Sequence, residues 1–315
     1  MMDAGPAVQV NQLRKRFGGV QALDGVSFEI LPGQVVGFIG ANGAGKTTTM
    51  RILATLDSSS AGQAFVCGYS VHLQSSEVRK RIGWMPDAYG TYKNTSCLEY
   101  LDFFARAYGY AGAEREKRVQ DVVDFTELGP LVDRPMTGLS KGQAQRLCLG
   151  RTLLHDPKVL ILDEPAAGLD PKARIEFKNL VRILSQRGKT ILISSHILSE
   201  LSEMCDALLF IDKGKIIRSG SADSLDDEAE TEYSDIEIRL ESLNEEAAAY
   251  LQQRHTGFSL HETLKDGFVM RGPRMEHAER AEILKNLVEQ GFPIYHFEQR
   301  RRKLEDVFID TLNQQ

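Results

Sequence analysis

The chain has 315 residues, 38 Lys and Arg against 44 Asp and Glu for a net charge of −6, 42% apolar residues and 8% aromatics. This composition excludes a collagen, a long coiled coil and a wholly disordered chain, and the length suits two domains that each bury a core without disulfide help. Cys67, Cys97, Cys148 and Cys205 show no CxxC spacing, so they read as buried thiols in a reducing compartment rather than zinc ligands or bridges. No apolar run approaches the ~18–20 residues that span a bilayer, and Met1–Pro6 is too short and uncharged for a secretory signal; a soluble chain is expected.

In chain order, apolar strand-like runs at Val35–Ile39, Val159–Leu162, Thr190–Ile193 and Leu208–Ile211 alternate with helical patterns. That order predicts βα units around a largely parallel sheet. Between Ser96 and Leu139 the pattern changes: Leu98, Leu101, Phe104, Val119, Val122, Val123 and Leu128 recur at helical spacing without strand runs, which predicts a helical insertion.

Charge then divides the chain. Residues 1–221 carry 27 basic and 23 acidic side chains, whereas 222–315 carry 11 and 21. Asp223, Asp226, Asp227, Glu228, Glu230, Glu232, Asp235 and Glu237 occur without an intervening Lys or Arg and read as a solvated linker. The expected domains are 1–222, with a helical subdomain near 96–139, a linker at 223–235, and 236–315.

Downstream, Ile236–Leu240 alternates as a strand and Asn244–Gln253 is a helix candidate. Lys265-Asp266-Gly267 turns between strands at Ser259–Leu264 and Phe268–Arg271. Glu276–Gln290 places Ala281, Leu284, Leu287 and Val288 on one helix face and ends at Gly291. A strand at Ile294–Phe297 and a helix at Leu304–Leu312 complete βαββαβ plus a last helix, a small α+β split-βαβ domain.

Gly40-Ala41-Asn42-Gly43-Ala44-Gly45-Lys46-Thr47-Thr48 follows a strand and opens a helical run, the context in which GxxxxGK[ST] cradles phosphates. Backbone N–H groups and the helix start would face phosphate oxygens, Lys46 would bridge the β- and γ-phosphates, and the Thr47 hydroxyl would ligate Mg²⁺. Val159–Leu162 delivers Asp163 and Glu164 at a strand's C-terminal end, where open α/β sheets bind ligands. Asp163 suits a Mg²⁺ contact through water and Glu164 a general base toward a hydrolytic water. A nucleotide with β- and γ-phosphates, together with Mg²⁺, is the ligand these residues lead us to expect.

Leu139-Ser140-Lys141-Gly142-Gln143 resembles the LSGGQ signature of ABC-type ATPases. The resemblance covers residues 7 to about 222, in family order: the phosphate loop, Pro86-Asp87, the signature, Leu162-Asp163-Glu164-Pro165, Gly168-Leu169-Asp170 and Ser195-His196. It implies a P-loop NTPase with an α/β core, a β-subdomain and a helical subdomain, and makes the expected cofactors ATP and Mg²⁺. It also implies two ATPase subunits, identical or paralogous, packed head to tail, with each ATP between the phosphate loop of one and the signature of the other. Ser140 and Gly142 would then meet the γ-phosphate, His196 would hold that phosphate, Glu164 and the attacking water, and Asp170 would touch the opposite phosphate loop. Phe17 matches the aromatic that stacks on adenine, with an ordinary strand-end core residue as the other reading.

Two residues depart from the family pattern. Asp87 stands where glutamine is usual, and it either ligates Mg²⁺ or faces solvent; Lys141 replaces a glycine and reads as tolerated. The resemblance further implies a separate multi-span permease and a location on the cytoplasmic face of the membrane. Tyr89, Tyr92 and Tyr100 lie along the expected docking segment, with a core role as the alternative. Lys303-Leu304-Glu305-Asp306-Val307-Phe308 resembles the ending of ATPases that serve drug, lipid and polysaccharide exporters, so export is expected. The rival is a soluble ABC ATPase acting on nucleic acid or assembly. Arg300-Arg301-Arg302-Lys303 reads as a helix start, a domain contact or a lipid-headgroup contact, and an appendage of net −10 disfavours a polyanion.

Overall fold

The computed structural model describes residues 5–88, 90, 92–198, 201, 204–221, 234–241, 245–255, 257–273 and 275–300. They belong to two compact units, 1–221 and 222–315. In the first, a six-stranded sheet has the order β10-β9-β3-β8-β7-β6, built from β3 (Val35–Ile39), β6 (Ile82–Met85), β7 (Val159–Leu162), β8 (Thr190–Ser195), β9 (Ala207–Asp212) and β10 (Lys215–Ser221). All pairs are parallel except the β9–β10 edge. The central strands β3, β7 and β8 are buried at every position, which is why Val35–Ile39, Val159–Leu162 and Ile191–Ile193 read as continuous runs rather than alternating ones.

A second, antiparallel sheet has the order β2-β1-β4-β5, from β1 (Val8–Phe17), β2 (Val20–Ile30), β4 (Ala61–Val66) and β5 (Tyr69–Ser70). The strand β1 turns into β2 at Gly18-Gly19. Val8, Leu13, Leu23 and Phe28 from this sheet share one core with Phe38, Ile161 and Leu192 of the parallel sheet and with Met50 of α1 (Lys46–Leu53).

The predicted insertion contains α3 (Cys97–Ala107) and α4 (Gly112–Phe125), after a short α2 (Ser75–Arg79). Ser96 caps α3 in a reciprocal box with Glu99. The two ends of the insertion are tied together, since Cys97 N donates to Arg134 O at 3.1 Å and Met136 N to Thr95 O at 3.0 Å. Its core is closed by α5 (Lys141–Leu153), which contributes Leu147 beside Leu101 and Val123. Tyr100 is 2% exposed in that core, so the docking reading of this tyrosine is corrected. Tyr92 is exposed, with its ring 5.9 Å from that of Tyr100; Tyr89 lies outside the described residues. At its other end α5 rests on β6: a Cβ on Gly83 would lie 2.7 Å from Thr152 Cγ2.

The second unit contains β11 (Ser234–Leu240), α7 (Glu245–Arg254), β12 (Ser259–Leu264), β13 (Gly267–Gly272), α8 (His277–Glu289) and β14 (Ile294–Arg300), while α6 (Pro171–Gln186) belongs to the first unit. Its sheet order β12-β13-β11-β14, antiparallel throughout, is that of a split βαβ. Ile236, Ile238, Phe268 and Met270 pack with Leu251 of α7 and with Ile283 and Leu287 of α8.

The reading of Asp235 and Glu237 as part of a solvated linker is corrected. Both lie in β11 and are under one-tenth exposed. Asp235 accepts two hydrogen bonds from Arg271, at 2.8 and 2.9 Å, and Glu237 pairs with Arg239 and Arg300. Arg300 is thus the end of a strand, also bonded to Glu262 at 2.7 Å, and not a helix start. Residues 223–232, the run after Arg300 and the Leu304–Leu312 helix lie outside the described residues. Removing one partner of a buried pair strands the other charge. Asp235→Ala is therefore expected to lower stability by about 3 kcal/mol, read as an earlier urea transition of the full chain.

Candidate active site

The parallel strands β3, β7 and β8 end side by side, and their C-terminal loops carry the chemistry. After β3, the chain turns through Gly40–Gly45 into α1. A Cβ on Gly40 would lie 2.3 Å from Ile211 O, and Gly45 has φ 115° with its Cβ position 2.7 Å from Leu23 Cδ2. Only glycine lets the loop pass this close to its neighbours with that backbone. The first intrahelical bond runs from Thr49 N to Gly45 O at 3.0 Å. The N–H groups of Lys46, Thr47 and Thr48 therefore lack intrahelical acceptors, and with the helix dipole they offer a site for anions.

Lys46 is 5% exposed and donates to Gly40 O at 2.6 Å and Ala41 O at 3.3 Å, while its Nζ lies 3.2 Å from Glu164 Oε1. The other oxygen of Glu164 lies 2.8 Å from His196 Nδ1. Glu164 has φ 47°, a left-handed conformation rare for a non-glycine residue. Strain of this kind is concentrated at functional sites.

Asp163, at the end of β7, is 2% exposed. Its Oδ2 accepts from Thr47 Oγ1 and its Oδ1 from Ser194 Oγ, each at 2.8 Å. Ser194 Oγ also accepts from Glu164 N at 2.9 Å, so one hydroxyl fixes both acidic residues. Sequence reasoning missed Ser194; the signal was its place at the C-terminal end of β8, two residues before His196. Burial pushes the Asp163 carboxyl above the usual range, opposed by the Ser194 and Thr47 hydrogen bonds and reinforced by the charges of Glu164 and Asp87.

The remaining predicted residues lie in three places. Asp87 is exposed in the loop after β6, beside the end of β7, where Asp163 N donates to Met85 O at 2.9 Å. Ser140 caps α5 in a reciprocal box with Gln143, and a Cβ on Gly142 would lie 2.8 Å from Ala173 Cβ of α6. Leu139 is partly buried against the helical core. Asp170 caps α6 by accepting from Ala173 N at 2.9 Å. Phe17 ends β1 and is 48% exposed, with Lys15 Nζ 4.7 Å from its ring centre, which removes the core reading for that residue. Asn42 and Gly43 are exposed at the crest of the phosphate loop, and Ala44 is buried beneath it.

The oxygen donors Thr47 and Asp163 are already within hydrogen-bond distance of each other, the hard donor chemistry that Mg²⁺ selects. A phosphate-binding helix start, a buried acidic strand end and a His–Glu pair at the ends of adjacent parallel strands define the class: a P-loop nucleoside triphosphatase. A family model described as "ABC transporter" matches residues 23–167. The Nod factor export ATP-binding protein I of Ralstonia nicotianae is 38% identical over 220 residues, 70% of this chain and 68% of that protein. The ABC transporter ATP-binding protein NatA of Bacillus subtilis is 37% identical over 207 residues, 65% of this chain and 84% of that protein. Among solved structures, an ATP-binding subunit of an ABC transporter superposes with TM-score 0.64 at 27% identity, covering 70% of this chain and 92% of that one. A bacterial ABC transporter cassette solved as a dimer superposes with TM-score 0.63 at 24% identity, covering 68% and 98%. The chain belongs to the ATP-binding, ATP-hydrolysing subunits of the ABC transporter family.

At neutral pH the buried Asp163 charge costs stability when no cation is bound. A carboxyl raised in the folded state stabilises below its unfolded value of 3.8, and that contribution is lost as pH rises through the folded value. Asp163→Asn is therefore expected to raise the melting temperature of the nucleotide-free chain at pH 7, by about 2–4 °C, while removing Mg²⁺-dependent hydrolysis. Calorimetry across pH checks the sign: the gain over the parent should shrink as pH falls toward the ordinary carboxylate range.

Proposed function

We propose that two copies of this chain close head to tail around two ATP molecules and thereby drive a separate multi-span permease at the cytoplasmic face of the membrane, for export of a drug, lipid or polysaccharide. The observation that carries the catalytic part is the continuous chain of contacts from Lys46 through Glu164 to His196, placed beside the Thr47–Asp163–Ser194 set. The naming of the relative as an exporter subunit supports the direction of transport.

In this reading, residues 40–48 cradle the phosphates and Phe17 stacks on adenine with its exposed ring. Lys46 exchanges the Gly40 and Ala41 carbonyls for phosphate oxygens, which releases Glu164 Oε1 to accept a proton from the attacking water. His196 holds the other Glu164 oxygen and so fixes the direction of that lone pair. Thr47 and Asp163 would hold Mg²⁺, whose charge offsets that of the phosphates. The partner protomer contributes Ser140 and the backbone of Gly142 at its α5 start, and Asp170 beside them. Among the described residues no helix is long and apolar enough to cross a membrane, which accords with a permease on a separate chain.

Glu164→Gln should bind ATP and accumulate as a dimer with turnover lowered at least about 10²-fold, the scale of lost general-base catalysis. Lys46→Ala should lose nucleotide binding, read by equilibrium dialysis. Wild-type turnover in the first variant would remove Glu164 from the role of base. For the transport reading, affinity capture from solubilised membranes should bring down a multi-span membrane protein; recovery of soluble or nucleic-acid partners instead would favour the non-transport class.

A further inference from the structure

We propose that Asp87 of one protomer and Lys141 of its partner form an ion pair across the closed dimer, so that this chain carries its own matched charges at the nucleotide interface. The proposal rests on the head-to-tail reading above and adds a positioning pair to it.

Both residues stand where charge is unfavourable within their own protomer. Lys141 is the first residue of α5, and a cation at a helix N-terminus opposes the dipole. Its side chain lies over Gly168, where an added Cβ would be 2.6 Å from the Lys141 Nζ, so the ammonium is held beside the Gly168–Asp170 loop. Lys141 is exposed, and among the described residues it makes no ion pair. Asp87 is likewise exposed and unpaired among the described residues. It follows the end of β6, which is hydrogen-bonded to the residue bearing the buried Asp163 carboxylate. A second negative charge near that carboxylate is repelled.

These are also the two positions at which the chain departs from the family pattern, and the departures have opposite sign. Head-to-tail closure brings the α5 start of one protomer against the phosphate-loop side of the other, where the β6 loop lies. The Lys141 ammonium and the Asp87 carboxylate then relieve each other's unfavourable setting. The contact forms at both sites of a symmetric dimer, so its effect on association is doubled.

The test is a double-mutant cycle in the Glu164→Gln full-length chain, with MgATP-dependent dimerisation followed by sedimentation. Asp87→Asn and Lys141→Gln should each weaken association about tenfold, and the double variant should be no weaker than either single. That coupling should shrink at high salt, because the pair is solvent-facing until closure; a packing role of Lys141 on Gly168 would not respond to salt or to Asp87. The reversed pair, Asp87→Lys with Lys141→Asp, should recover association that each reversal alone removes, which guards against a neutral variant that merely folds poorly. Additive losses, with no recovery by the reversed pair, would overturn the proposal while leaving the dimer reading intact. Failure of the Glu164→Gln parent to dimerise with MgATP would overturn the dimer reading, and the ion pair with it.

Discussion

The site is organised around one buried carboxylate. Asp163 is withdrawn from water at the end of β7 and is kept there by two hydroxyls, one from the helix that follows the phosphate loop and one from the neighbouring strand β8. Those two bonds fix the relative positions of α1, β7 and β8. Lys46, Thr47, Glu164 and His196 all lie on these three elements or on the residues that directly follow them. Burying a charge without a counter-ion is unfavourable, and the hydroxyls only partly offset this. A cation bound beside Asp163 would offset the remainder.

The neighbouring Lys46–Glu164–His196 set is arranged differently. Lys46 is enclosed by backbone carbonyls of its own loop and by the Glu164 carboxylate. These contacts satisfy the ammonium from within the chain and tie the loop to it. A preformed cradle reduces the ordering cost of binding. The left-handed backbone at Glu164 serves the same end, because it turns the carboxylate back across the strand ends toward Lys46 and His196.

How much of this was legible in the sequence depended on distance along the chain. The strands β3 and β7 matched their apolar runs residue for residue because both faces are buried. β8 continued past its apolar run into Ser194–Ser195, since a buried hydroxyl with partners is as acceptable as a methyl group. The motif residues at the strand ends were readable because local geometry, loop then helix start, dictates their types. Asp235 and Glu237 were misread for the opposite reason. Two of their three arginine partners, Arg271 and Arg300, lie far along the chain, and a local tally of charge cannot register a cross-strand pair. Tyr100 was ambiguous in the same way, because only the fold reveals that α3 turns it into the helical core.

The helix α5 bears on the mechanics of the first unit. Near its start Gly142 packs against α6, and in its last turn Thr152 is pressed on Gly83 of β6. Thirteen residues make a rod about 20 Å long. A tilt of about 5° pivoting at its β6 end would carry its starting residues by about 1.7 Å, more than half a hydrogen-bond length. The glycine contact at Gly83 and the one at Gly142 therefore act as two bearings of a single lever, and the precision of the distant end is set by how tightly the near end is seated.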